Sequence, residues 1–484
     1  MRTQADPFAR VCKDFFLKAL SVGRCRVEGI AKNFMTTGIL RAETRGGDQK
    51  GATYGGKRKA VSNFLQHLKG RESHYGRNKT TKLYLPPSIT SVRQLWNMFS
   101  QSASQPVQYE FFRRVFKHKF RIGFGSPKTD ACSLCERVRN QIKAESDPLK
   151  KQSLMTELRI HKTRANVFYR LITEKREGLK IICFDHQQNQ VLPKVPDQIA
   201  YYSRQLYMYN FTVVDCREDG ALTRENVFIY TWKENDNPKN SPACASAVFH
   251  ALRKIDMTGI DSVRLVSDAC GGQNKNSTFL YMAGHWLSKH APRDLKRIEM
   301  AFPVRGHSFL PCDRVFGVLE KQLRLKERIY DPKEYIEIYK RQGTVFVAGE
   351  DWDVLDFKEV SDRTLKKPLP IKIQDNKRFF IAKGKAVTVQ TEPNYCNMIN
   401  EPHIITKKGM SFSKNPVYVE QGVGISEAKR ADMKKLMEEH AGEGWETDQR
   451  FEFVASVVSG RVNACPEEEE SCSCLGEDQP ADRL

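Results

Sequence analysis

The sequence predicts an α/β fold with a mixed-sheet core, a basic helical region ahead of it and a small α+β extension behind. Three observations point there. Between residues 178 and 330, short apolar β-rich runs alternate with helical segments in the order β-β-β-α-β-α-β-α. The first 130 residues combine helical periodicity with an excess of Lys and Arg. Residues 331–460 mix both element types, and 461–484 form an acidic tail with too few apolar residues to fold.

Taken in order, PFARVCKDFFLKAL and GRCRVEGIAKNF each place apolar residues at helical spacing around the break SVG. This is the outline of a helix-turn-helix, though helical hairpins without DNA-reading roles share it. RAETRGGDQKGATYGGKRK, rich in Gly and charge, reads as a mobile loop. AVSNFLQHLKG, SVRQLWNMFSQ and QYEFFRRVFKHKF read as helices. Between them RESHYGRNKTTKLYLPP, with Arg77 and Lys79, suits phosphate contacts and base stacking. Residues 131–177 read as a CxxC-containing helical linker, with one long polar helix over 136–177. Strands follow at 179–185, 205–215 and 226–234, then helix 241–255, strand 263–268, helix 276–290, strand 297–304 and helix 313–326. The first three strands suit an antiparallel meander, and the later ones suit parallel pairing through helical crossovers. Beyond them come helix YDPKEYIEIYKRQ, β-like runs around KRFFIAKGKAVTVQT and helix SEAKRADMKKLMEEHAG.

Charge narrows the function. The 484 residues carry a net +21. Residues 1–130 hold 25 Lys and Arg against 8 Asp and Glu, residues 131–330 hold 32 against 22, and the remainder hold 22 against 28. A basic front and an acidic back point to a polyanion met by the N-terminal half. No apolar run approaches a membrane span, and MRTQADPFARVCKDFF lacks the apolar stretch of a secretory signal. The expectation is an intracellular, nuclear protein whose 13 cysteines are reduced.

Three carboxylates fall at matching places in the β/α series. Asp185 closes the first strand, Asp268 closes the fourth, and Asp313 opens the helix after the fifth, with Glu320 further along the same helical face. Singly, each aspartate also reads as a strand-end turn or helix cap. In an RNase H-like sheet the first and fourth strands are neighbours, so these acids would converge on Mg²⁺ or Mn²⁺. Two such ions about 3.5–4 Å apart support in-line displacement at phosphorus. In LVSDACGGQNKN, Gly271 and Gly272 would let a nucleic-acid backbone approach, with Gln273, Asn274 and Lys275 holding phosphate or sugar. His307, in PVRGHSFLPCD, would shuttle a proton or orient water, or else be a backbone-bonded loop histidine. Helix 241–255 has no Asp or Glu, which favours a three-acid arrangement with Glu234 a weak substitute for a fourth.

The blocks FDHQQNQVLPKVPDQIAYYSRQLYMYNFTV, SDACGGQNKN and GHSFLPCDRVFGVLE, with RGGDQKG, SHYGR and PKTDACSLC, carry a resemblance over roughly residues 8–345. The chain resembles a transposon-derived family of animal proteins with an RNase H-like, DDE-transposase-like domain of unknown function. The resemblance implies that Asp185, Asp268 and either Asp313 or Glu320 stand where a DDE/D triad would stand. NPKNSPACAS departs from the family pattern by lacking an acid before helix 241–255.

Cys132 and Cys135 form a CxxC, half of a zinc site. His161 is the best third ligand, with Asp130 or a distant Cys or His as the fourth; buried free thiols are the alternative. The function expected is two-metal phosphoryl transfer on DNA phosphodiesters, transposase-like or nuclease-like. The alternative is a catalytically inactive, transposon-derived DNA-binding protein. DNA and a homo-oligomeric copy are the expected partners; a membrane and a small-molecule cofactor are not.

Overall fold

The computed structural model describes residues 11–40, 49–68, 71–72, 82–86, 88–103, 106–124, 132–384, 386–420 and 422–460. Arg77, Lys79, Asp130 and the acidic tail 461–484 lie outside the described residues. The chain forms two compact units, Met1–Thr129 and Asp130–Leu484. Among the described residues, no helix is long and apolar enough to cross a membrane.

In the first unit, α1 (Lys13–Ala19) and α2 (Arg24–Thr37) bury no residue, and Phe15, Phe16, Ile30 and Phe34 stay exposed. The core comes from α3 (Gln49–His67), α4 (Val92–Ser102) and α5 (Tyr109–Lys119), through Val61, Leu65, Leu95, Phe99, Phe112 and Phe116. A small sheet of β1 (Arg71–Glu72), β2 (Leu83–Leu85) and β3 (Ile122–Phe124) accompanies them, so the unit is not wholly helical. The segment expected as a mobile loop is helical from Gln49 onward. Each helix glycine there costs about 1 kcal/mol against Ala. Burial of Val61 and Leu65, together with the Tyr54–Phe111 ring contact at 5.6 Å, outweighs that cost.

The second unit opens with a helical hairpin, α6 (Ser133–Ala144) and α7 (Pro148–Ile172). The single helix expected over 136–177 is broken because Asp147 caps α7 through Leu149 N (2.9 Å) and Pro148 occupies the first turn. There follow β4 (Leu179–His186), β5 (Gln190–Leu192), α8 (Gln198–Tyr202), β6 (Leu206–Asp215), β7 (Val227–Lys233), α9 (Ser241–Lys254), β8 (Ser262–Val266), α10 (Ser277–Lys289), β9 (Arg297–Ala301) and α11 (Pro311–Leu323). The chain then adds α12 (Pro332–Tyr339), β10 (Thr344–Val347), α13 (Phe357–Thr364), β11 (Arg378–Ala382), β12 (Thr388–Glu392), α14 (Glu427–Ala441) and α15 (Glu452–Val458).

These strands build one nine-stranded mixed sheet in the order β10-β7-β6-β4-β8-β9-β11-β12, with β5 paired to β6. β4, β6 and β7 pair antiparallel, while β8 joins β4 and β9 joins β8 in parallel. An α/β class with a mixed sheet is therefore what the chain adopts. The C-terminal stretch is not a separate extension: β10 adds to β7 at one edge, and β11 and β12 continue past β9 at the other. Side chains alternate between two apolar layers. Ile182, Phe184, Val263 and Leu265 face α9, α10 and α13. Ile181, Cys183 and Val266 face α7, α11, α12, α14 and α15. The segment expected as a linker thus supplies a layer of the core, through Ala165, Phe168 and Leu171 of α7.

A row of buried charges crosses four strands on the α7 side. Arg264 donates from Nε to Glu299 (2.7 Å), Arg378 donates to the other oxygen of Glu299 (2.7 Å), and Arg378 also pairs with Glu392 (2.7 Å). Arg264 further donates to Leu171 O and to Glu174, tying α7 to the sheet. Replacing Glu299 by Gln leaves two buried guanidiniums without their shared charge. The expected loss is about 3–5 kcal/mol of unfolding free energy, read as a lowered urea midpoint.

Candidate functional site

Strand register carries two of the acids to one edge of the sheet. Cys183 of β4 pairs with Val266 of β8, so Asp185 and Asp268, each two residues on, continue side by side on strands about 4.8 Å apart. The two-residue side-chain period turns both toward the α11 face, with Cys183 and Val266. The thiol of Cys312 lies 3.4 Å from both Cys183 O and Thr212 O, which seats the start of α11 over β4 and β6. Asp313 follows it and accepts from Leu310 N at 2.7 Å, capping the helix.

The three carboxylates feel one another. Burial, then the charges of Asp268 and Asp313, push Asp185 well above the ordinary carboxylate range. Burial raises Asp268 too, opposed by hydrogen bonds from Asn274 and Cys270 N and by the charge of Lys239. Burial raises Asp313, and the charge of Asp268 adds to it against the Leu310 N–H. Lys239 sits close enough to act on Asp185 and Asp268 and donates to Asn189 at 2.9 Å.

Lys239 was not singled out from the sequence, yet topology would have found it. β4, β7, β8 and β9 all run the same way, so the loops after them leave one sheet edge together. Those loops carry Asn189, Lys239, the GGQNKN turn and His307 respectively. Ligand sites in open α/β sheets form at such carboxyl ends.

Several sequence expectations change. Asn274 is fully buried and donates to Asp268 at 2.5 Å, so it holds the carboxylate and not a nucleic acid. Lys275 is 2% exposed, donates to Gln374 O at 2.7 Å and is lowered by burial to about 8; it props the turn from inside. The cause is the tight turn on Cys270 O, which accepts from the N–H groups of Gln273, Asn274 and Lys275 and rotates the last two inward. Gly271 packs against Gln374, where a Cβ would sit 3.1 Å from its amide nitrogen. Gly272 is exposed with open space around it, and Gln273 is half-exposed. Glu320 lies about 10 Å along α11 from Asp313, and its ion pair is with Arg324 at 3.9 Å. Glu234 accepts from Tyr207 N and pairs with Lys429.

His307 departs furthest from expectation. Its Nε2 lies 3.0 Å from His161 Nε2 and 3.5 Å from Cys135 Sγ, while Cys132 Sγ lies 3.3 Å from His161 Nε2. The ligand atoms of these four buried residues all fall within 4.8 Å of one another. His307 is thus the distant histidine that the sequence left open beside Asp130 as a fourth ligand, and it stands with the Cys/His group where a role beside the carboxylates was expected. Local structure explains the cluster. Cys132 caps α6, Cys135 follows one turn later, and His161 faces them from α7. Gly306, at φ +75°, lets the β9–α11 loop close on Cys132: a Cβ there would lie 2.8 Å from the cysteine's Cβ and Sγ. Burial pushes the Cys132 thiol up, but hydrogen bonds from His161 and His307 outweigh it and bring it down to about 5. Burial, then the Cys132 charge, raise Cys135 to about 11. A buried Cys₂His₂ cluster of this kind could bind a metal such as zinc. No described protein family and no curated protein matches the sequence of this chain.

The acidic cluster predicts a pH signature. With its folded-state pKa raised, Asp185 stabilises the fold when protonated, at low pH, and that contribution is lost as pH rises through the folded value. In buffer without added divalent cation, Asp185→Asn is expected to gain about 0.5–2 kcal/mol over the parent protein near pH 8. The gain should shrink steadily as the pH is lowered toward 4, in urea titrations at each pH.

Proposed function

We propose that the chain is a DDE/D-type phosphoryl-transfer protein acting on DNA phosphodiesters through an RNase H-like core. The observation that carries this reading is the placement of Asp185, Asp268 and Asp313, half-buried and repelling one another, at the carboxyl ends of β4 and β8 and the start of α11. The strand order β7-β6-β4-β8-β9, with its antiparallel meander and parallel crossovers, is the order an RNase H-like sheet follows. It supports the fold half of the proposal by analogy. The +17 balance of residues 1–130 supports a nucleic-acid partner, and with it a nuclear setting.

The donor chemistry suits a hard divalent cation, being oxygens only and mutually repelling at a sheet edge. Among the described residues only the Cys/His group brings its ligand atoms within 4.8 Å, so the three acids would close further on an ion. Asp185, Asp268 and Asp313 would hold it. Mg²⁺ or Mn²⁺ bound there supplies phosphoryl polarisation and activation of water or a 3′-hydroxyl. The chain's own residues do the rest. Asn274 fixes the Asp268 carboxylate, the Leu310 N–H fixes Asp313, and Lys239 brings a positive charge near Asp185 and Asp268. Gly272, open and without a side chain, leaves room for a sugar-phosphate strand.

A second reading, a non-catalytic DNA binder, is favoured by one observation: α9 brings no carboxylate to the sheet, and Cys244 lies there against His186 Nε2 at 3.1 Å. Nicking of supercoiled plasmid in Mg²⁺ or Mn²⁺ separates the two. The expected result is cleavage by the parent protein, a loss of at least about 10²-fold in Asp185→Asn, Asp268→Asn and Asp313→Asn, and near-parental cleavage by Glu320→Gln. Equal activity in parent and Asp268→Asn, or none in either, removes the enzyme and leaves the binder. Thermal melting gives an independent check: Mn²⁺ should raise the midpoint of the parent protein and leave that of Asp185→Asn unmoved.

A further inference from the structure

We propose that Zn²⁺ held by Cys132, Cys135, His161 and His307 is a structural clamp that ties the α6–α7 hairpin to the β9–α11 loop and thereby sets the position of Asp313. The zinc assignment stands apart from the DNA-cleaving reading; only the consequence for Asp313 rests on it.

The ligand atoms carry the first half. Two thiol sulfurs and two imidazole nitrogens, all buried, converge within 4.8 Å. A tetrahedral zinc with sulfur at about 2.3 Å and nitrogen at about 2.0 Å separates its ligands by about 3.3–3.8 Å. The Cys132–His161 and Cys135–His307 separations are 3.3 and 3.5 Å, and the imidazole pair at 3.0 Å needs only a small opening. Four protein ligands complete the shell and leave no open coordination position, which marks a structural site. Soft sulfur with imidazole also selects against Mg²⁺, so the two clusters would sort their metals by chemistry.

Chain connectivity carries the second half. The four ligands come from three segments far apart in sequence: the start of α6, the middle of α7 and the loop after β9. That loop is drawn onto Cys132 at two further points, Arg305 O at 3.6 Å from the Cys132 sulfur and Gly306 against its Cβ. From His307 the chain runs directly to Leu310, whose N–H bonds Asp313, and to Cys312, seated on β4 and β6. Leu310 and Cys312 are fully buried and anchor the path from ligand to carboxylate, while Phe309 and Pro311 along it are half-buried and Ser308 is exposed. Cys132 also lies just inside the boundary between the two compact units, so the clamp would anchor the chain where the second unit begins.

The test uses the full-length protein. Expressed with zinc and desalted, it should hold about one zinc per chain by elemental analysis, and cobalt exchange should produce tetrahedral, thiolate-ligated visible bands. His307→Ala should lose at least about tenfold in zinc affinity, and His307→Cys, which restores a fourth donor, should recover it. Asp313→Asn should keep its zinc. Hydrogen exchange of residues 302–312 should rise on chelation in the parent protein, with activity playing no part in the readout. A Cys132–Cys135 disulfide in the purified protein, or zinc and cobalt spectra unchanged in His307→Ala, overturns the four-ligand site. Unchanged exchange in 302–312 after zinc removal overturns the clamp. Failure of plasmid nicking would leave both results standing and bear on the cleavage reading alone.

Discussion

Parallel pairing of β4 with β8 is the constraint on which the rest of the second unit depends. Its register sets Cys183 against Val266 and carries Asp185 and Asp268 to the same edge and the same face. A slip of one residue would turn Asp268 to the opposite layer, among the side chains packed on α9 and α10. Both faces are apolar, so the pattern of IICF and VRLV does not by itself choose the register. Arg264, held on the α7 side by Glu299 and Leu171 O, fixes which face of β8 is which. The same sheet edge then receives the loops after β7 and β9, and with them Lys239 and the chain leading to Asp313.

Buried charge is handled in two contrasting ways on one face of this sheet. The Arg264–Glu299–Arg378–Glu392 row alternates in sign, and each link is a hydrogen bond of 2.7 Å. Ionisation there is met by partners. At the carboxyl edge, three aspartates share the partial compensation of Asn274, backbone N–H groups and Lys239, and all three are raised. A protein that can pair its buried charges in one place and leaves them repelling in another concentrates electrostatic strain at a site. That contrast separates architecture from chemistry more sharply than either cluster would alone.

The readable parts of the sequence were those governed by local periodicity. Eight of the ten elements from β4 to α11 fall within a few residues of where apolar spacing puts them, because each buries a full face; β5 and α8, three and five residues long, are too short to show a period. The failures have specific causes. Asn274 and Lys275 read as solvent-facing polar residues, but the turn on Cys270 O directs them inward, and a linear pattern does not report which way a turn rotates. The Gly-rich start of α3 was read from propensity, which the burial of Val61 and Leu65 overrode. The break between α6 and α7 did carry a signal in DP, an N-cap followed by a first-turn proline, and the long polar helical pattern masked it. His307 was placed with Asp313 because the two are close in the chain, whereas the β9–α11 loop sends its ring toward α6 and α7.

By itself the sequence determined the order of the longer strands and helices of the sheet core, the basic front and acidic back, and the three acids at strand or helix ends, since each depends on residue type and short-range spacing. Only the tertiary structure decided that β10, β11 and β12 extend one sheet, and that Asp313 lies within electrostatic reach of Asp185 and Asp268. It also decided that His307 closes a Cys₂His₂ cluster with His161, 146 positions earlier, and with Cys132 and Cys135, the latter 172 positions earlier. Those outcomes depend on which segments pack against each other across the chain. Long-range packing is set by the summed burial of whole layers, and no short stretch of sequence carries that sum.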